Sequence, residues 1–486
     1  MIKSREDHAQ APTLPTERRE TLLDWDGPSD PENPRNFPLA LRMFTTVTVT
    51  VLALVSVFAG AIYAPAQTYV RAEFDLSYEV AVLPLSLYNL GLAFGPIIGA
   101  PLSETYGRKT VFVITTPVFI FFMIGSGFAK SIDALNICRF FAGMFASSNI
   151  SNASATMLDY TPDLRRGLVL GIYYCIPSFT ATLAPLIGGF VVVAKGWRWT
   201  QWTAIMVATA AYIPILFTKE TYKKVILQRR AIRLGLEDSA SQRVSVGTAV
   251  RHFFTTLIQR PVHMLLTEPI VTFVSLYNGF NFGLLYAFVI TVPWMMRTYY
   301  DFDKTSESLS YLGMTIGTLT ACLPFTLIDT FIYQKRFLAW RETHSASEKF
   351  PPKYRLLSSM AGSILLPPSL FAVAWTVQYR VHWIVPILFQ GLSMLSCMLV
   401  YAGVNLFMLD SYGPLYGASA SGAVQLSRYI LSFAFPLFAL RMAEGLGAGW
   451  STSLLGIFTV LLVPIPWCFW RFGDWLREHS RYEISD

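Results

Sequence analysis

The chain has 486 residues, of which 53% are hydrophobic and only 14% charged. A mean hydropathy of +0.44 excludes an ordinary soluble domain and places most of the chain in lipid. Five cysteines, Cys138, Cys175, Cys322, Cys397 and Cys468, are scattered singly through apolar runs, so neither a disulfide frame nor a metal site is implied.

Residues 1–41 are polar and proline-rich, with no secretory pattern, and form an N-terminal tail. Apolar runs of membrane-spanning length follow near 42–66, 79–101, 110–129, 134–157, 168–193 and 199–218. After a polar stretch at 219–266 come six more, near 267–293, 309–333, 356–376, 383–407, 416–440 and 449–470, and then a tail at 471–486. Helices are required, because lipid offers no partner to backbone N–H and C=O groups and the runs do not alternate as barrel strands would. The expected fold is an all-α integral membrane protein with twelve transmembrane helices in two six-helix halves, residues 42–218 and 267–470. In the central stretch, "VGTAVRHFFTTLIQ" at 246–259 has helical apolar spacing and reads as an interfacial helix; the Ser-rich "DSASQRVS" before it reads as a turn.

With both termini on the cytoplasmic side, the tails and even-numbered loops carry 28 Lys and Arg and the odd-numbered loops 8. That bias fixes the orientation. It also explains the net charge of +7 without a nucleic-acid partner, since the basic excess faces one side of the bilayer. Only Arg139 and Arg428 lie well inside spans, and no Asp or Glu sits mid-span. Intramembrane arginines face a wet cavity or a partner. Tyr88, Asn89, Tyr277, Asn281, Gln390 and Gln425 complete the set of candidate cavity residues around Arg428. A cavity of this composition favours neutral or anionic organic substrates over polyamines, which need carboxylates.

The loop after the second span, "APLSETYGRKT", places Glu104, Gly107, Arg108 and Lys109 at fixed offsets. Such a cluster can latch neighbouring helices and release them as two halves rock. The loop resembles the signature of the major facilitator superfamily, with Leu102 also matching and Ala100 standing where that family usually has glycine. "WDGPSDPENPRNFP" at 25–38, "GWRWTQW" at 196–202, "KETYKKVIL" at 219–227 and "PLYGASASGAVQLSRYILSFAFPLF" at 414–438 are similar to segments of its fungal twelve-span drug:proton antiporters. A degenerate second copy of the charged loop, "DTFIYQKRF", carries Asp329, Lys335 and Arg336.

The resemblance implies the major facilitator fold, with Arg139 and Gly143 of the fourth span tied to proton coupling. It also implies a kinked small-residue motif in the fifth span. Pro185, Gly188 and Gly189 match that motif, while Ala181, Thr182 and Ala184 depart from it. The expected activity is secondary transport, not catalysis: export of a small organic molecule by proton antiport and alternating access, with a proton-coupled or passive importer as the alternative. No nucleotide-binding loop or hydrolase motif is present. The expected partners are a small-molecule substrate, protons and membrane lipid; no cofactor or metal is called for, and a monomer suffices. The plasma membrane is the expected location, with vacuolar or peroxisomal membranes compatible.

Overall fold

The computed structural model describes residues 24–234, 259–344 and 350–482. The expected interfacial helix and the Ser-rich turn lie outside these, apart from Gln259. Among the described residues, twelve helical passages cross the molecule. In the first half these are Leu39–Ala61, Tyr78–Tyr106, Arg108–Phe128, Ile132–Tyr160, Asp163–Lys195 and Arg198–Ile215, here called spans 1 to 6. Span 7 is Pro269–Tyr300, span 8 the kinked run from Lys304 to Thr343, and span 9 Leu357–Gln378. A continuous helical stretch, Ile384–Leu462, is broken at Gly413 and Gly447, where φ is 59° and 73°, and so divides into spans 10, 11 and 12. Glycine is needed at both breaks, because a left-handed backbone costs any other residue steric energy. Val463 keeps helical φ and ψ, so span 12 runs on into a further helix, Pro464–Glu478.

Lipid-facing positions stay apolar and uncovered, among them Phe121, Phe128 and Ile213, while polar residues turn inward. Spans 2 and 4 approach backbone to backbone: a Cβ at Gly143 would lie 2.1 Å from the Tyr88 carbonyl oxygen, and one at Gly91 2.2 Å from that of Phe140. Small residues permit this closeness, which supplies dispersion energy where no hydrophobic drive separates helix from lipid.

The two halves meet at both ends of the bundle. On the side that the Lys and Arg bias assigns to the cytoplasm, Leu170 of span 5 packs on Phe325 of span 8 and on Leu399, Ala402 and Leu406 of span 10. A side chain at Gly171 would collide with the Phe325 ring. On the outer side Tyr78 donates to the Pro436 carbonyl at 3.4 Å, and Arg441 pairs with Glu79. Between these outer contacts a cavity of about 150 Å³ is lined by Gln67, Tyr78, Gly189, Trp294, Arg297 and Glu307, among others.

Candidate functional site: a gated interface between two helical halves

The charged loop lies at the cytoplasmic end of spans 2 and 3. Gly107 adopts φ of 100°, and a Cβ there would meet the Glu220 carboxylate at 2.3 Å. That carboxylate accepts from the Arg108 and Lys109 backbone N–H groups at 2.8 and 3.2 Å, so it caps span 3 from across the fold. The Arg108 side chain donates to Ser103 at 2.7 Å and to Asp159 at 3.4 Å, and stacks over Tyr222. Lys109 reaches the Leu216 carbonyl at 2.8 Å. Glu104 is exposed and makes no ion pair among the described residues. The acids of this latch are therefore Asp159 and Glu220, which sequence spacing did not reveal because they arrive from the ends of spans 4 and 6.

Asp159 also accepts from the Thr221 hydroxyl at 2.9 Å.

The second half repeats this geometry with a different residue. Arg355, at the entry to span 9, bonds Asp329 and Asp410, each at 2.9 Å, and its guanidinium lies 3.5 Å from the Tyr333 ring centre. Arg108 stands before span 3 and pairs with the end of span 4; Arg355 stands before span 9 and pairs with the end of span 10. The cations of the degenerate sequence copy, Lys335 and Arg336, are exposed and stack over Phe331 and Tyr354 instead.

Arg139 is fully buried in span 4. It donates to the carbonyls of Ala59 at 2.6 Å, Gly60 at 2.7 Å and Pro84 at 3.2 Å, with Gln201 at 3.4 Å. Ala59 and Gly60 are in the last turn of span 1, so the guanidinium caps a helix C-terminus, where a cation is favoured. Tyr88 covers the same group, 4.6 Å away, and gives its hydroxyl to Ser56. Tyr88 thus serves Arg139 within the first half, and Gly143 holds span 4 close enough for both contacts.

In span 5, Pro185 is buried. A Cβ at Gly188 would lie 2.4 Å from the Ile62 carbonyl, and one at Gly189 1.9 Å from the Ser308 hydroxyl. Gly189 is therefore the point where span 5 closes on span 8 at the outer side.

The candidate cavity residues divide. Asn89 crosses the interface to the Ser432 carbonyl at 3.4 Å. Arg428, also at mid-bundle, is 2% exposed and held among rings of spans 7, 10 and 11. Gln390 packs instead beside Gly313, between spans 8 and 10. The Tyr277 hydroxyl, both side-chain polar atoms of Asn278, Asn281 and Gln390, one of Gln425 and Nε of Arg428 are buried without a protein partner. Buried polar groups are almost always bonded, so this set calls for a polar guest, water or substrate. Asn278 went unmarked in the sequence, although its spacing of three from Asn281 was a usable signal.

A chain built of two six-helix halves, with paired cytoplasmic latches and polar groups between the halves, has the architecture of a rocking carrier. The sequence pattern of the Major Facilitator Superfamily matches residues 49–436. The chain belongs to that superfamily. Among curated relatives of this transporter, the efflux pump radE of Floropilus chiversii is 30% identical over 96% of the chain and 87% of its own length. The MFS-type transporter tndD of Aspergillus flavipes is 33% identical over 94% and 85%. Among solved structures, the proton:xylose symporter XylE shares the fold with a TM-score of 0.63 at 15% identity, covering 90% of the chain and 96% of its own. The human organic anion transporter MFSD10 (TETRAN) gives 0.59 at 14% identity, over 88% and 100%. The chain is therefore a multi-pass membrane transporter and not an enzyme.

Proposed function

We propose that this transporter exports a small organic molecule, neutral or anionic, by proton antiport and alternating access. The observation that carries the reading is that, among the described residues, no carboxylate lies at mid-membrane level between the halves. Among the described residues the mid-membrane polar groups there are amides, phenols and a guanidinium, which suit hydrogen-bonding or anionic cargo and leave a bare polyamine without a counter-charge. Likeness to a fungal efflux pump supports the outward direction, and a secondary metabolite or toxin is the fitting cargo. Arg139 and Gly143 support the coupling role from the first half: Arg139 ties span 4 to the end of span 1, and Gly143 packs span 4 against span 2. The plasma membrane is the site where export of such a compound has its effect.

The half-matched span 5 motif favours one alternative, a proton-coupled or passive importer. Alanine at 181 and 184 keeps close packing but gives up glycine's backbone freedom. Uptake into vesicles with and without a proton gradient separates the two. Antiport requires accumulation that collapses when the gradient is dissipated, whereas a passive carrier equilibrates cargo in either case.

A further inference from the structure

The two buried arginines differ in how fully the protein satisfies them, and Arg428 is the one left open. It donates to the phenol oxygens of Tyr401 and, at 2.6 Å, Tyr429, and its guanidinium lies 4.3 Å from the Phe282 ring centre and 4.4 Å from that of Tyr429. None of these groups carries negative charge. Its Nε–H has no partner, and among the described residues neither phenol hydrogen has an acceptor. Three donors without acceptors thus sit at a buried cation that, among the described residues, no carboxylate neutralises. An uncompensated charge at this depth is costly to desolvate, so the surroundings favour an anion.

The place of this group adds the second observation. Tyr174 of span 5 packs edge-on against Tyr401 at 5.4 Å, and Asn89 of span 2 bonds the Ser432 carbonyl one turn beyond Arg428. The cage is therefore bracketed on both sides by contacts between the two halves, where a guest would be covered and uncovered as they rock. Its walls are aromatic faces, which take a flat apolar body.

Resting on the transport reading above, we infer that Arg428, Tyr401 and Tyr429 form a subsite for the carboxylate of a cargo molecule with a planar apolar body, seated against Phe282 and Tyr174. The guanidinium supplies charge through Nε–H, and the two phenols, polarised by accepting from it, turn their hydrogens to the carboxylate oxygens.

The test compares naphthoate with its uncharged isostere naphthamide, by thermal unfolding of the purified full-length protein in chloride-free buffer. Naphthoate is expected to bind wild type roughly tenfold or more tightly than the amide. Arg428→Gln should erase that preference, and Arg428→Lys should keep part of it. Tyr401→Phe and Tyr429→Phe, which leave the cation in place, should each weaken naphthoate severalfold; they serve if the glutamine variant does not fold. Equal binding of acid and amide to wild type, binding of neither, or a preference that survives in Arg428→Gln would each overturn the subsite. Stabilisation by chloride alone, without naphthoate, would assign the cage to an inorganic ion and overturn it as well. Gradient-driven uptake of neutral compounds by the wild-type protein keeps the two readings apart, since its presence leaves transport standing whatever happens to the anion preference.

Discussion

Arg139 and Arg428 are both buried cations of the membrane interior, yet the chain treats them in opposite ways. Around Arg139 the protein itself supplies the acceptors: two carbonyls from the end of span 1, one from span 2 and an amide from span 6. Around Arg428 it supplies only phenols and aromatic faces, and one nitrogen is left over. A buried charge whose geometry is complete holds the fold together, and one whose geometry is incomplete is available to a ligand. The cytoplasmic latches extend this contrast, from Arg355 with two carboxylates, through Arg108 with one at 3.4 Å, to Glu104 with no ion pair among the described residues.

The largest effect is expected at the complete site. Arg139→Ala should abolish transport and lower the thermal midpoint in detergent. Arg139→Lys should rescue little, because an ammonium cannot serve three carbonyls in one plane as a guanidinium fork does. Full activity in the lysine variant would erase the contrast between the two arginines.

Next come the latches. Arg355→Ala leaves Asp329 buried without its cation and should cost about 3–5 kcal/mol, the usual penalty for breaking a buried pair from one side. Arg108→Ala should cost less, since its pair is longer and Glu220 still caps span 3 through backbone N–H groups. Denaturation of the two variants side by side measures the difference; equal losses would show the latches to be equivalent.

The smallest structural effect belongs to Glu104→Ala, which should leave folding and substrate binding nearly intact while slowing turnover. Its carboxylate is exposed in this conformation, so any part it takes in the cycle falls in the other one. Comparing Kd with transport rate in the same preparation checks this, and unchanged turnover would remove Glu104 from the cycle.

The fold was legible because lipid leaves a chain few options: apolar run length, the Lys and Arg bias and two equal sets of six spans point to the architecture. The motif residues of the charged loop were legible as well, but their partners were not. Asp159, Glu220 and Asp410 reach the latches from remote helix ends, and Arg355 precedes span 9 outside the degenerate repeat that marked Lys335 and Arg336. Among cavity candidates, polarity inside a span marks Asn89 and Arg428 but cannot tell which helix face turns toward the partner half, so it also marks Gln390 and Tyr88, which pack elsewhere. Tyr401, Tyr429, Phe282 and Tyr174 carried no signal of their own in a chain with 15% aromatic residues.

The central claim, proton-driven export of neutral or anionic cargo, is tested most directly by uptake into inside-out vesicles containing the purified protein. The compounds would be an anionic, neutral and polyamine panel, with and without an inward-acid pH gradient. Gradient-dependent accumulation of anionic or neutral compounds, with polyamines excluded, is the predicted result. Polyamine accumulation, or flux indifferent to the gradient, would contradict it.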